Sequence, residues 1–197
     1  MKFLPALFLV LTGFCLKAQP PHYTDSLQAF RDRYISTHEV IKEKDRAGLQ
    51  FYAIDKKYYV PVRVERIYEA PWFAMETSGK VKKTFRVYAI LHFTISGKLH
   101  KLSVYQSQQL MQSEEYKNYL FIPFTDLTNG ELTYENGRYI DISTTDLENT
   151  PFYLDFNKAY NPYCAYVSNV YNCPVPPAEN HLTVAIAAGE KKFALSH

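Results

Sequence analysis

From Tyr58 onward, apolar side chains recur at every second position, in short runs that stop at turns. Val60, Val62 and Val64 alternate with Pro61, Arg63 and Glu65, the pattern of a half-buried strand whose successive side chains point to opposite faces. Pro61 has no N–H to give to a ladder, so this strand is expected at an edge or a bulge. Trp72 to Thr77 leads to Ser78-Gly79, Phe85 to Ile95 leads to Ser96-Gly97, and Leu99 to Tyr105 follows, which predicts two successive hairpins. Tyr119 to Phe124 is a further apolar run. Asn136-Gly137, between Leu132-Thr133-Tyr134 and Tyr139-Ile140-Asp141-Ile142, is the strongest turn signal in the chain. Strands are also expected near 152–156 and 182–187.

One segment alone has a helical period. Leu27, Phe30 and Tyr34 share a face, and Thr24 or Asp25 is placed to cap the start. Seventeen tyrosines and thirteen phenylalanines against seven glycines favour sheet surfaces that pack on one another through rings. The fold class expected is mainly β (α+β): an antiparallel sheet folded into a sandwich or open barrel, with a short N-terminal helix and a long ordered C-terminal loop.

That loop lies between Phe156 and Leu182, where no period survives. A stretch of this length in a compact domain is usually functional or disordered, and its prolines and tyrosines favour an ordered one. It holds Cys164 and Cys173, for which four states are open: a disulfide, two free thiols, zinc ligands together with His181 and a carboxylate such as Glu179, or a catalytic thiol. A disulfide closing ten residues would add about 2.7 kcal/mol on a chain-entropy estimate. The spacing of the two cysteines lacks the short pairing of zinc motifs, so no metal site is assigned.

The same region resembles a bacterial family, the domain of unknown function 1684 (DUF1684). Gly137-Arg138-Tyr139-Ile140-Asp141, residues 154–165 (LDFNKAYNPYCA), residues 173–180 (CPVPPAEN) and Ala188-Gly189-Glu190 match its signature in order. The chain departs from that signature at Tyr163, where a second proline is usual, and at His181. The resemblance implies relatives of unknown activity, so any function has to be argued from the residues.

At the N-terminus, Met1-Lys2, the apolar run from Phe3 to Leu11 and the small-residue exit at Ala18 read as a secretory signal over residues 1–18, with a single domain over 19–197. The run is short for a bilayer span, so no integral membrane span is expected in the mature form. Lipidation at Cys15 is the lesser alternative, because bulky Phe14 precedes it. The destination is periplasmic or extracellular. Loss of residues 1–18 removes Lys2 and Lys17 and leaves 20 basic against 20 acidic residues. A balanced charge gives little attraction to phosphate backbones, which argues against nucleic acid as a partner. Lys80, Lys82 and Lys83 read as a solvated turn.

Candidate site residues cluster in the signature. Asp155 and Glu179 are the candidate catalytic pair, an acid and a base if a fold brings two carboxylates together. Arg138, Tyr139, Asp141, Asn157, Tyr160, Asn161 and Asn180 are candidate ligand-binding residues, offering rings to stack on and hydrogen bonds to form. Arg138 is equally able to pair with Asp141 or Asp155, and Asp155, Asn157, Glu179 and Asn180 to bond loop backbone or cap a last strand. His92 and His100 flank a predicted turn and are candidates for a cross-strand pair. No cofactor is implied. A polar small molecule or a sugar is the expected partner; an exported hydrolase and a purely structural protein are the alternatives, and oligomeric state is open.

Export predicts a mature protein that begins at Gln19. Intact-mass analysis of material recovered from the native host should give that start; a soluble product beginning at Met1 rejects the leader, and a diacylated one beginning at Cys15 makes the protein a lipoprotein.

Overall fold

A computed structural model describes residues 22–194. The expected leader and Cys15 lie outside the described residues. The chain opens on α1 (Tyr23–Ser36) and then forms β1 (Tyr59–Arg66), β2 (Phe73–Met75), β3 (Lys83–Ile95), β4 (Lys98–Ser107), β5 (Tyr119–Phe124), β6 (Arg138–Ser143) and β7 (Phe152–Asp155). The strands join in the order β6-β5-β4-β3-β1-β7, with β2 also on β3, and every pairing is antiparallel.

The β3–β4 hairpin is the spine. Ser96 and Gly97 both take positive φ, 51° and 74°, which turns the chain with the twist its flanking strands need. Its register runs from Ile95 opposite Lys98 to Phe85 opposite Ser107, broken by one irregularity between Val87 and Ala89. Below that irregularity the free edge of β3 takes β2; above it, the edge takes β1. An extra residue of this kind raises local twist. The twisted sheet comes nearly full circle: Tyr139 on β6 and Tyr160, just past β7, exchange two backbone hydrogen bonds of 2.9 and 3.0 Å. The result is a nearly closed barrel, the open-barrel form of the expected fold class.

Both faces of the sheet carry apolar side chains. Leu91, Leu102, Leu120, Ile122, Phe124, Ile140 and Leu154 fill the interior with Phe156. Because neighbours in a strand point oppositely, Phe121 and Tyr139 face outward, where they pack with Met75, Phe85 and Tyr105 in a second cluster. The aromatic outer face explains why residues after β7 fold back over it.

Four local expectations need correction. The helix begins at Tyr23 behind His22 with no side-chain cap, so Thr24 and Asp25 lie within its first turn. Pro61 is not on an edge: β1 has partners on both sides, and Pro61 is tolerated because the β1–β3 ladder starts only at Val62. Residues 132–134 are not a strand; the Asn136-Gly137 turn leads into β6, whose partner is β5. There the Thr128 and Thr133 hydroxyls bond each other, and Asn129 Nδ2 donates to the Tyr134 carbonyl, so local side chains replace a ladder. Residues 182–187 form no strand: the chain bends at 183–184, Ile186 N donates to Asp126 Oδ1 and Ala187 N to the Tyr58 hydroxyl. Among the described residues no helix is long and apolar enough to cross a membrane.

Arg138 holds this irregular tail to the barrel. Its guanidinium pairs with Asp126 at 2.8 Å with both side chains at 0% exposure, and it also donates to the carbonyls of Ile186, Ala188 and Glu190. It is neither a surface fork for a ligand nor a partner of Asp141 or Asp155. Removing one member of a buried pair strands the other's charge and costs about 3–5 kcal/mol. Arg138→Met is therefore expected to lower unfolding free energy by that amount in urea titration, with part recovered in Arg138→Met/Asp126→Asn, where no charge is left unpaired.

Candidate functional site

Strand alternation decides which signature residues meet. On β6, Ile140 and Ile142 point inward, so Tyr139 and Asp141 point outward; on β5, Tyr119 lies outward beside them. After β7, Asp155 accepts the backbone N–H of Asn157 and starts one short helical turn at Phe156–Lys158. The chain then runs past β6 and sets Tyr160 against Tyr139, ring edge to ring face, with centroids 5.9 Å apart.

Asp141 is the centre of this group. The Tyr119 and Tyr160 hydroxyls both donate to its Oδ1, at 2.8 and 2.7 Å. Oδ2 has no partner among the described residues. Asp141 reaches water through the mouth of a cleft of about 490 Å³, yet protein atoms crowd it. Desolvation pushes its carboxyl above the usual carboxylate range, and the two tyrosine hydrogen bonds pull it back only in part.

The cleft lies between the outer face of β6, residues 160–174 and α1. Phe30 and Tyr34 close one end, Tyr163 and Tyr171 form the outer wall, and Lys83 and Lys158 stand at its rim. Cys164 and Cys173 are joined as a disulfide, which ties that outer wall. Neither sulfur is therefore a free thiol, a zinc ligand or a nucleophile. Ser78 fastens the same loop to the β2–β3 turn: its N–H donates to the Cys173 carbonyl and its Oγ accepts from Cys173 N.

Of the expected ligand-binding residues, Tyr139, Asp141 and Tyr160 come together in the cleft. The amides do not join them. Asn157 is buried and exchanges hydrogen bonds with the Asp55 backbone, Asn161 is buried and donates to the Lys191 carbonyl, and Asn180 is buried against Ser103 and Pro123. Each satisfies backbone that has no ladder partner. The expected catalytic pair is not assembled: Asp155 is buried and takes the Tyr23 hydroxyl and Asn157, while exposed Glu179 takes the Tyr105 hydroxyl, and they share no partner. Glu179 and Asn180 cap no strand, since none follows. His92 bonds Glu65 and His100 stacks on Phe93; Lys101 is opposite His92, so the two histidines lie on opposite faces. Among the described residues no group of three or more His, Cys, Asp and Glu side chains could hold a metal.

Sequence reasoning missed Tyr119, Tyr34 and the two lysines. Alternation along 119–124 places Tyr119 on the face of Phe121 and was the available signal. Lys83 is the exposed first residue of β3, opposite Met75 of β2, and lines the cleft instead of sitting in a turn. Behind the cleft wall, Glu190 is fully buried and accepts from Asn161 N at 2.8 Å and from the Tyr34 and Tyr166 hydroxyls. Burial outweighs these bonds and raises its carboxyl to about 7.

Residues 44–191 match the model of a family described as "Protein of unknown function (DUF1684)". The chain is also similar to the solution structure of an uncharacterized protein of Haloarcula marismortui, at 30% identity and a TM-score of 0.63, over 85% of this chain and 92% of that one. No curated protein matches it.

A glutamate in an unfolded chain ionises near pH 4.3. Between there and about 7, the folded protein keeps the Glu190 proton that the unfolded chain releases, so this contribution to stability is full at low pH and falls as pH rises through the window. Melting temperatures of the wild type and Glu190→Gln from pH 4 to 8 test it. The wild-type advantage over Glu190→Gln should shrink with rising pH, and a constant or growing advantage contradicts the assignment.

Proposed function

Because the chain belongs to the DUF1684 family, whose description carries no activity, we propose its function from its own geometry: it is an exported periplasmic or extracellular protein that binds a polar small molecule or sugar in the cleft at Asp141. The leader-like residues 1–18 and the disulfide, which suits an oxidising compartment, support export. Asp141 carries the binding reading. A carboxylate that shares one oxygen between two tyrosines and leaves the other free in an aromatic cleft is prepared to accept a hydroxyl or an ammonium.

The surroundings suit an amphipathic ring. Tyr34, Tyr139, Tyr160 and Tyr163 offer apolar ring surface for stacking, while the carboxylate and the lysines supply orientation, the mixture common to ligand sites of about 300–1,000 Å³. A purely structural signature accounts for Arg138, Asp155, Asn157, Asn161 and Asn180. It leaves Asp141 Oδ2 unexplained.

A hydrogen bond to a charged group contributes about 1.5–3 kcal/mol, or roughly tenfold or more in affinity. A thermal-shift screen of sugars and other polar metabolites against the wild type, Asp141→Ala and Tyr160→Phe is the test. Stabilising compounds should lose at least tenfold in affinity for Asp141→Ala, while Tyr160→Phe, whose hydroxyl bonds only Asp141, melts within a few degrees of wild type. Compounds that stabilise Asp141→Ala as well as wild type would sink the reading.

A further inference from the structure

We infer that the cleft is one section of a longer groove that takes an acidic oligosaccharide, a chain of two or more linked sugar units carrying carboxylates. This rests on the binding reading above and extends it. The cleft of about 490 Å³ continues into a hollow of about 190 Å³, sharing Lys83, Tyr139, Tyr160 and Pro174 with it. That hollow in turn continues into another of about 290 Å³, sharing Lys83, Ser107 and Gln109. Three adjoining hollows exceed what a single ring fills.

Composition changes along the line. The first section is aromatic and holds Asp141 among tyrosines, the middle is lined by Phe85, Tyr119, Phe121 and Gln109, and the far end carries Ser107, Gln108, Gln109 and Gln112 beside residues 81–84. Sugar units meet this sequence of surfaces with apolar ring faces for the tyrosines and hydroxyls for the amides. A peptide added as a strand would need an unpaired sheet edge, and this groove crosses the outer face of β5 and β6.

Charge selects an acidic chain. Lys83 lines all three hollows and Lys158 the first, and neither forms an ion pair among the described residues. Lys82, which also lines the third hollow, is paired with Glu76, so the groove sets two unpaired cations against the one carboxylate of Asp141. Protein atoms around Lys83 push its ammonium down although the residue still reaches water, and no carboxylate pairs with it among the described residues. A ligand carboxylate beside Lys83 supplies that partner, while Asp141 accepts a hydroxyl of the adjoining unit.

Calorimetric titration of the full mature protein with galacturonic acid, its dimer and trimer, and with glucose, cellobiose and cellotriose tests both parts. The trimer of galacturonate should bind at least tenfold more tightly than the monomer and than cellotriose. Lys83→Gln should abolish the preference over cellotriose without changing the melting temperature, and Gln109→Ala should weaken trimer binding while leaving the monomer unchanged. Equal affinity for monomer and trimer overturns the groove and leaves the single-ligand reading standing. Equal affinity for acidic and neutral trimers overturns the role of Lys83. If no saccharide binds, the inference fails outright, and the metabolite screen with Asp141→Ala decides separately whether the binding reading fails with it.

Discussion

Residues 182–190 carry carbonyls that join no ladder, and the Arg138 guanidinium collects three of them while its charge is met by Asp126. Asp126 also takes Thr128 and the backbone of Ile186, so the pair ties the 126–128 turn to residues 186–190. A buried charge is costly unless paired and hydrogen-bonded, and here Asp126 meets the charge while both terminal guanidinium nitrogens find acceptors, leaving only Nε without one. The barrel is thereby sealed by chain that makes no strand, which frees residues 160–180 to lie across the outside.

That outside location follows from strands with two apolar faces. β5 buries Leu120, Ile122 and Phe124 inward and Phe121 outward; β6 does the same with Ile140 and Tyr139. Leaving the outer rings in water would forfeit about 25 cal/mol per Å² of apolar surface, so a covering segment is stabilising. The cover is incomplete over Asp141, and the gap is the cleft. The disulfide and Ser78 keep the covering segment in one place, which fixes the cleft tyrosines relative to the sheet.

Glu190 links the two regions. It lies behind Tyr34, whose ring lines the cleft, and draws together α1, Asn161 and Tyr166. The aromatic end of the cleft is therefore built on a buried carboxyl that titrates near neutrality, while Asp141 at its centre stays in contact with water.

The alternation at 60–64, the Ser96-Gly97 and Asn136-Gly137 turns and the period of 23–36 were legible in the sequence because each is set by neighbours a few residues away. Tyr119's place beside Phe121 was written in the same kind of alternation but went unread, and spacing alone left the state of Cys164 and Cys173 open. The fates of the polar signature residues were not legible. Asp155 finds the Tyr23 hydroxyl 132 positions away, and Arg138 finds Ala188 at a separation of 50. A carboxylate or amide is a scaffold group when such a partner consumes it and a candidate site when one oxygen is left over. Local pattern determined an aromatic-rich antiparallel sheet, sandwich or open barrel, with a long ordered C-terminal loop; only the tertiary structure decided that the sheet closes as a barrel and that Asp155, Asn157, Asn161 and Asn180 hold the loop while Asp141 keeps a free oxygen, because that depends on non-local pairing of hydrogen-bond donors.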